Sequence, residues 1–324
     1  MPAGDPRKRP HIKFGWTRGD GTRQKGRAMA LLAALFALPF VVPATDLPLR
    51  EAVSRPATLR MSKPSNPARI TVRIPDPAPS IALPPIAGPR DPRRPLVVID
   101  AGHGGHDPGA YNQKLDLREK DLTLAIAQAT RDELLKTGRI RVALTRGDDR
   151  FLVLQERYGI ARKLGADLFI SIHADAAETP TARGATVYTL SDVASDREAA
   201  RLAARENRAD VINGIDLSDK TSAVSSILID LTQRETMEAS TRFAELLHRE
   251  ALPHFPFRSP YHRFASLIVL KSPDTPSVLF EAGYVSNDED AAWMAGKDGR
   301  LQLAKGLAAA ISVHFARAMS TAKP

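Results

Sequence analysis

The sequence predicts an α/β fold: one domain with a twisted, mostly parallel sheet and helices on both faces. Three observations carry this expectation. From Pro95 onward, short apolar runs of strand length alternate with stretches of helical periodicity. The first 94 residues lack such a pattern and hold little that could build a core. Glycine, histidine and acidic residues gather at or just after the ends of the apolar runs, where an open α/β sheet presents its ligand crevice.

The elements follow in order. Leu96–Asp100 (LVVID) reads as a buried strand, and Leu122–Leu135 as an amphipathic helix closed by Gly138. Arg141–Thr145 (RVALT) is a second strand and Leu152–Leu164 a second helix. Asp167–Ile172 (DLFISI) and Gly184–Leu190 (GATVYTL) are further strands. Helical stretches are expected near 194–210 and 222–252, strands at Ser266–Leu270 and Ser277–Phe280, and a closing helix at Leu301–Ala318. No internal repeat is visible.

Composition narrows the function. The chain has 324 residues, of which 43% are hydrophobic and 26% charged, so it is not globally disordered. Its net charge of +9 would suggest a nucleic-acid partner, but the charge is unevenly spread. Residues 1–94 carry a balance of +11, whereas residues 95–324 carry −2. A nucleic-acid partner needs a basic face on the folded body, so none is expected. The absence of cysteine excludes disulfides, thiolate metal sites and cysteine nucleophiles.

The N-terminus has the organisation of an export signal. Residues 1–27 are basic, and the apolar run Ala28–Val42 (AMALLAALFALPFVV) follows. That run is shorter than the ~20 residues of a bilayer span. Small residues at Val42-Pro43-Ala44 suit cleavage after Ala44, which makes residues 1–44 a signal peptide; an uncleaved anchor is the alternative. No stable membrane span is expected after cleavage, and the mature chain is expected in the periplasm. Residues 45–94 form a proline-rich tether, with twelve prolines in the 51 positions from 45 to 95. Residues 95–324 are then the one folded domain.

Four segments at strand ends carry candidate chemistry. Asp100-Ala101-Gly102-His103-Gly104-Gly105 follows the first strand, and its glycines permit a tight turn that can turn His103 to the crevice. Leu117-Arg118-Glu119-Lys120 brings Glu119 to the start of a helix. Ser171-Ile172-His173-Ala174-Asp175 ends the DLFISI strand, and Phe280-Glu281-Ala282-Gly283-Tyr284 ends SVLF. Singly, each has a structural explanation: a turn, a helix-start carboxylate, a hydrogen-bonded histidine, an ion-paired glutamate. Together, two imidazoles and two carboxylates are the inventory of a catalytic zinc site with three protein ligands, one open position and a general base. No HExxH pair and no Ser-His-Asp arrangement is visible, and His106 reads as a surface loop histidine.

The motifs V-I-D-A-G-H-G-G-x-D-x-G-A, L-R-E-K-x-L-x-L, L-T-R-x-x-D, L-F-I-S-I-H-A-D and P-S-V-L-F-E-A-G-Y-V-S-N occur here in that order. The chain over about 95–318 thereby resembles the zinc-dependent, AmiC-like N-acetylmuramoyl-L-alanine amidases of bacterial cell division. The resemblance implies a mixed six-stranded sheet, zinc ligation by His103, Glu119 and His173, and Glu281 as the catalytic glutamate. It implies hydrolysis of the amide joining N-acetylmuramic acid to L-alanine of peptidoglycan. A monomer is the default expectation for the oligomeric state. Many relatives carry a β-rich targeting domain ahead of the catalytic one, where this chain has only its proline-rich stretch. Two other classes stand beside this one: a zinc carboxypeptidase acting on stem peptides, and a non-catalytic wall-binding module.

An insertion at about 191–235 is longer than a simple hydrolase needs. By its residues alone it is an alanine-rich surface helix with charge pairs. The resemblance implies a regulatory lid instead, with Glu206 taking the metal's open position until an activator with a LytM-like domain withdraws it.

Overall fold

The structure is a computed structural model that describes residues 82–179, 181–209 and 223–321. The expected signal peptide, residues 45–81 of the tether and the 210–222 part of the insertion lie outside the described residues. Among the described residues, no helix is long and apolar enough to cross a membrane.

The strands are β1 (Leu96–Ala101), β2 (Tyr111–Asn112), β3 (Leu117–Arg118), β4 (Arg141–Leu144), β5 (Leu168–His173), β6 (Ala185–Leu190), β7 (Phe257–Ala265) and β8 (Ser277–Glu281). The helices are α1 (Glu119–Lys136), α2 (Leu154–Leu164), α3 (Arg197–Glu206), α4 (Ala223–Ala251), α5 (Asp288–Ala295) and α6 (Lys297–Thr321). Six strands form one mixed sheet in the order β4-β1-β5-β8-β6-β7, and β2 and β3 form a separate small hairpin. Strands β4, β1, β5 and β8 run parallel, while β6 is antiparallel to β8 and parallel to β7.

Each sheet face is covered. Val97, Ile99, Ile170 and Phe280 point to the face packed by α1, α4 and α6, where Ile126, Leu247 and Leu307 complete the core. Val98, Phe169, Tyr188 and Leu279 point to the other face, under α2 and α3. This alternation follows from the two-residue period of a strand. Helix α1 buries Leu122, Ile126, Thr130 and Leu134 on one stripe, and α2 ends on Gly165 in the left-handed conformation at φ 64°.

Two expectations need correction. Ser266–Leu270 is not a strand; Ile268–Leu270 is one turn of 3-10 helix, and the strand is β7, immediately before it. Strand β7 lies at the sheet edge, where Pro260 removes no needed ladder bond. Asn207 holds the turn in place: its side chain donates to the Ser266 carbonyl at 2.8 Å and accepts from the Ile268 amide at 2.9 Å. Helix α5 was also not expected. Its start is set by Asn287, whose side-chain oxygen accepts from the amides of Glu289 and Asp290, with acidic residues in the first turn.

Candidate metal centre

Parallel register places the candidate residues side by side. His173 ends β5 and is the register partner of Glu281 at the end of β8, while β1 runs on the other side of β5 and leads into the loop carrying His103. The small β2–β3 hairpin then delivers Glu119 as the first residue of α1. The structure therefore brings His103, Glu119, His173 and Glu281 to one end of the sheet. All four are buried.

Glu119 bridges the two imidazoles. Its Oε2 lies 3.2 Å from His103 Nε2, and its Oε1 lies 3.2 Å from His173 Nδ1. Backbone amides of Ala110 and Ala174 donate to the same two oxygens at 2.8 Å each, which fixes the carboxylate plane. Glu206 arrives from the end of α3, with Oε2 3.6 Å from His103 Nε2 and 3.3 Å from His173 Nδ1. One ligand atom each from His103, His173 and Glu206 lies within 4.8 Å of the other two. Glu206 reaches the site because Ala199, Leu202, Ala203 and Glu206 form the buried stripe of α3.

Glu281 stands beside this group. Its Oε2 accepts from the Asp175 amide at 3.0 Å, and its Oε1 is buried without a hydrogen-bond partner. Burial pushes its carboxyl well above the usual range, and the nearby Glu119 and Glu206 carboxylates add to that, against the pull of His173. Burial opposes the charge of Glu119 too, but His103 and His173 outweigh it and hold that carboxyl well below the usual range. Burial likewise opposes protonation of both imidazoles. The Glu119 and Glu206 carboxylates overcome it and raise His103 well above its ordinary value, and they raise His173 as well.

These residues fit a bound cation. A buried cluster of carboxylates and imidazoles is costly without compensating positive charge. His103 Nε2 has no hydrogen-bond partner although it is buried, as a nitrogen reserved for a metal would be. The other ring nitrogen, Nδ1, lies 2.8 Å from Asp107 Oδ2, and that pairing turns Nε2 into the site. Asp107 is in turn held by the Gly109 amide at 3.1 Å. The sequence reading gave neither Asp107 nor Gly109 a role, although both stand in the G-H-G-G-x-D-x-G stretch.

The loop around His103 is braced from below. His103 itself has a left-handed φ of 61°. Buried Arg157 donates to the Ala101 carbonyl at 2.8 Å and the His103 carbonyl at 2.9 Å, and it pairs with Asp100 at 3.0 Å. Buried Arg146 donates to the carbonyls of Ala101 and Gly102, both at 2.8 Å. Exposed His106 packs on Phe151 with ring centroids 4.3 Å apart, outside the cluster.

Gly109 leaves the space the site needs. A Cβ there would lie 2.6 Å from the His103 ring and 2.7 Å from Glu119 Oε2, at a φ of +65°. Gly138 has nearly the same φ, +62°, with nothing within 4 Å. Gly109→Ala is therefore expected to weaken metal binding about 10–100-fold, the usual scale for disturbed ligand orientation. Gly138→Ala should leave metal affinity unchanged. Metal titration of both variants checks this, and equal affinities would contradict the crowding account.

Comparison with known proteins identifies the family and the fold. The family profile described as N-acetylmuramoyl-L-alanine amidase matches residues 97–313. N-acetylmuramoyl-L-alanine amidase AmiA of Escherichia coli is 38% identical over 221 residues, covering 68% of this chain and 76% of that protein. N-acetylmuramoyl-L-alanine amidase AmiC of Neisseria meningitidis is 35% identical over 223 residues, covering 68% of this chain and 53% of that protein. Among solved structures, the catalytic domain of CwlV, an N-acetylmuramoyl-L-alanine amidase from Bacillus (Paenibacillus) polymyxa, superposes with a TM-score of 0.51 at 27% identity, covering 68% of this chain and 98% of that one. The matched region begins in β1 and ends in α6, so it takes in every candidate residue of the buried cluster. A match of that extent, joined to a mixed six-stranded sheet, makes this chain a member of the N-acetylmuramoyl-L-alanine amidase family, whose members are hydrolases of amide bonds.

Proposed function

We propose that this chain is a zinc-dependent peptidoglycan amidase that cuts the bond between the lactyl group of N-acetylmuramic acid and the L-alanine of the stem peptide. One observation carries the reading: two buried imidazole nitrogens and a buried carboxylate converge beside a second carboxylate, Glu281, whose free oxygen faces no partner. His103, Glu119 and His173 would hold the zinc. A zinc ion held there would supply Lewis-acid polarisation of the scissile carbonyl and would lower the pKa of a bound water toward ~7.

The protein's own groups do the proton work. The Asp175 amide fixes one oxygen of Glu281, so the other is left to accept a proton from the attacking water. Burial raises the proton affinity of Glu281, which suits a base that must then pass that proton to the departing alanine nitrogen. Asp107 holds the His103 ring in one orientation through both steps.

Residues 1–44 act as the export signal and 45–94 as the tether, so the mature chain works in the periplasm at the septum, where daughter cells separate. We read it as a monomer that is autoinhibited. Glu206 sits at the site as an added carboxylate, and its neighbour Arg205 pairs with buried Asp175. A LytM-domain activator would withdraw α3 and uncover the metal. Glu206→Ala is expected to raise basal release of peptides from purified peptidoglycan several-fold. An unchanged rate in Glu206→Ala and in a folded chain lacking 196–220 would contradict the lid.

Mass spectrometry of peptidoglycan digested by the chain tests the activity. The expected products are intact stem peptides with an L-alanine amino terminus and peptide-free sugar strands, both lost with a chelator. Release of only a carboxy-terminal residue would instead identify a carboxypeptidase.

A further inference from the structure

A pair of arginines lies under α3 at the end away from the metal cluster. Arg263, on edge strand β7, is only 4% exposed, yet its Nη1 meets two carboxylates of α3: Asp196 at 3.0 and 3.1 Å, and Glu198 at 3.1 Å. Arg258, on the same strand, also pairs with Glu198. The cluster is not saturated: Arg263 Nε and the Tyr188 hydroxyl are both buried without a hydrogen-bond partner. Tyr188 is the register partner of Arg263, and two positions earlier on β6 Thr186 is the register partner of Glu281. Glu281, Tyr188 and Arg263 therefore project from one face of three adjacent strands.

Arg258 does not depend on α3 alone for its placement. Arg258 donates to the Tyr284 hydroxyl at 3.1 Å and lies 5.3 Å from that ring's centroid. Tyr284 follows Glu281 by three residues, in the segment between β8 and α5. If α3 swings away, Asp196 and Glu198 leave with it, and the guanidinium groups of Arg263 and Arg258 lose their carboxylate partners and open to solvent. A vacated arginine pair of this kind offers a planar, charge-assisted site to another carboxylate.

We propose that Arg258 and Arg263 form a carboxylate-binding subsite for the acidic stem peptide, and that Asp196 and Glu198 occupy it in the closed form. The proposal rests on the amidase and lid reading above. The spacing suits it. Glu198 and Glu206 lie eight positions apart on one helix, about 12 Å at 1.5 Å per residue. An extended peptide covers that distance in roughly three to four residues. The carboxylate engaged is therefore one borne by the third or fourth residue of the stem. The same helix would cover the metal with one carboxylate and the peptide subsite with two others.

The test compares two synthetic muropeptides, one with free stem carboxylates and one with them amidated, in the full chain carrying Glu206→Ala. The free acid should be cut with a kcat/KM at least about tenfold higher, as when a site built for a polar group meets its analogue. Adding Arg258→Gln or Arg263→Gln should erase that preference by slowing the free acid alone. Glu198→Gln, which leaves β7 untouched, should lower KM for the free acid and not for the amide. This second arm answers the case in which the Arg263 variant fails to fold. If the arginines serve only to anchor α3, their loss will change both substrates alike, and the subsite is wrong. If the free acid and the amide are cut equally by the Glu206→Ala chain, it is also wrong. Absence of cleavage of either substrate would overturn the amidase reading and the subsite with it. A Glu206→Ala chain no faster than the unaltered one would count against the lid and against Glu198 as the resident carboxylate.

Discussion

Glu281→Gln is expected to lower peptidoglycan hydrolysis by about 10²–10⁴-fold, the usual worth of a positioned general base, while the fold and the bound metal persist. The glutamine is nearly isosteric and keeps an oxygen for the Asp175 amide, which holds Glu281 Oε2 at 3.0 Å. What it loses is the capacity to take a proton. The substitution also removes no ligand of the proposed metal set, so metal content should stay near that of the unaltered chain. A variant that keeps more than about a tenth of the rate would remove Glu281 from the general-base role.

His103→Ala and His173→Ala are expected to bring bound zinc well below one per chain and to abolish activity with it. Each leaves Glu119 with one imidazole instead of two, and each removes a nitrogen facing the cluster. With either imidazole gone the ion keeps one histidine and the carboxylates of Glu119 and Glu206, which repel one another and cannot replace the lost nitrogen, so it is held weakly and poorly oriented. His103→Ala also strands Asp107, whose partner at 2.8 Å is lost. Metal analysis of the purified variants reads the outcome directly. Full occupancy in either would contradict the ligand assignment.

Much of this arrangement was legible in the sequence, for identifiable physical reasons. Strands β1, β5 and β8 are apolar runs that end in a functional residue or lead directly to one, so fold and candidate site came from the same segments. Register was not legible. That His173 and Glu281 are direct partners depends on a pairing between strands more than 100 positions apart. Strand β7 escaped notice because FRSPYHRFA has no apolar alternation and contains a proline. Its arginines serve α3 rather than the core, and an edge strand tolerates such a composition. Glu206 could have been singled out without any resemblance. It continues the Ala199, Leu202, Ala203 stripe, and an acid on the buried face of a helix needs a partner. Asp107 and Gly109 act through the turn that folds them back on His103, and no periodicity reports a turn of that kind.

The most direct test of the central claim is a zinc-edge anomalous diffraction map of the full chain, grown with stoichiometric zinc. The account predicts one strong peak bounded by His103 Nε2, His173 Nδ1, an oxygen of Glu119 and Glu206 Oε2, with Glu281 adjacent and not ligating. A peak at another location, or one that takes Glu281 as a ligand in place of Glu119, would contradict it.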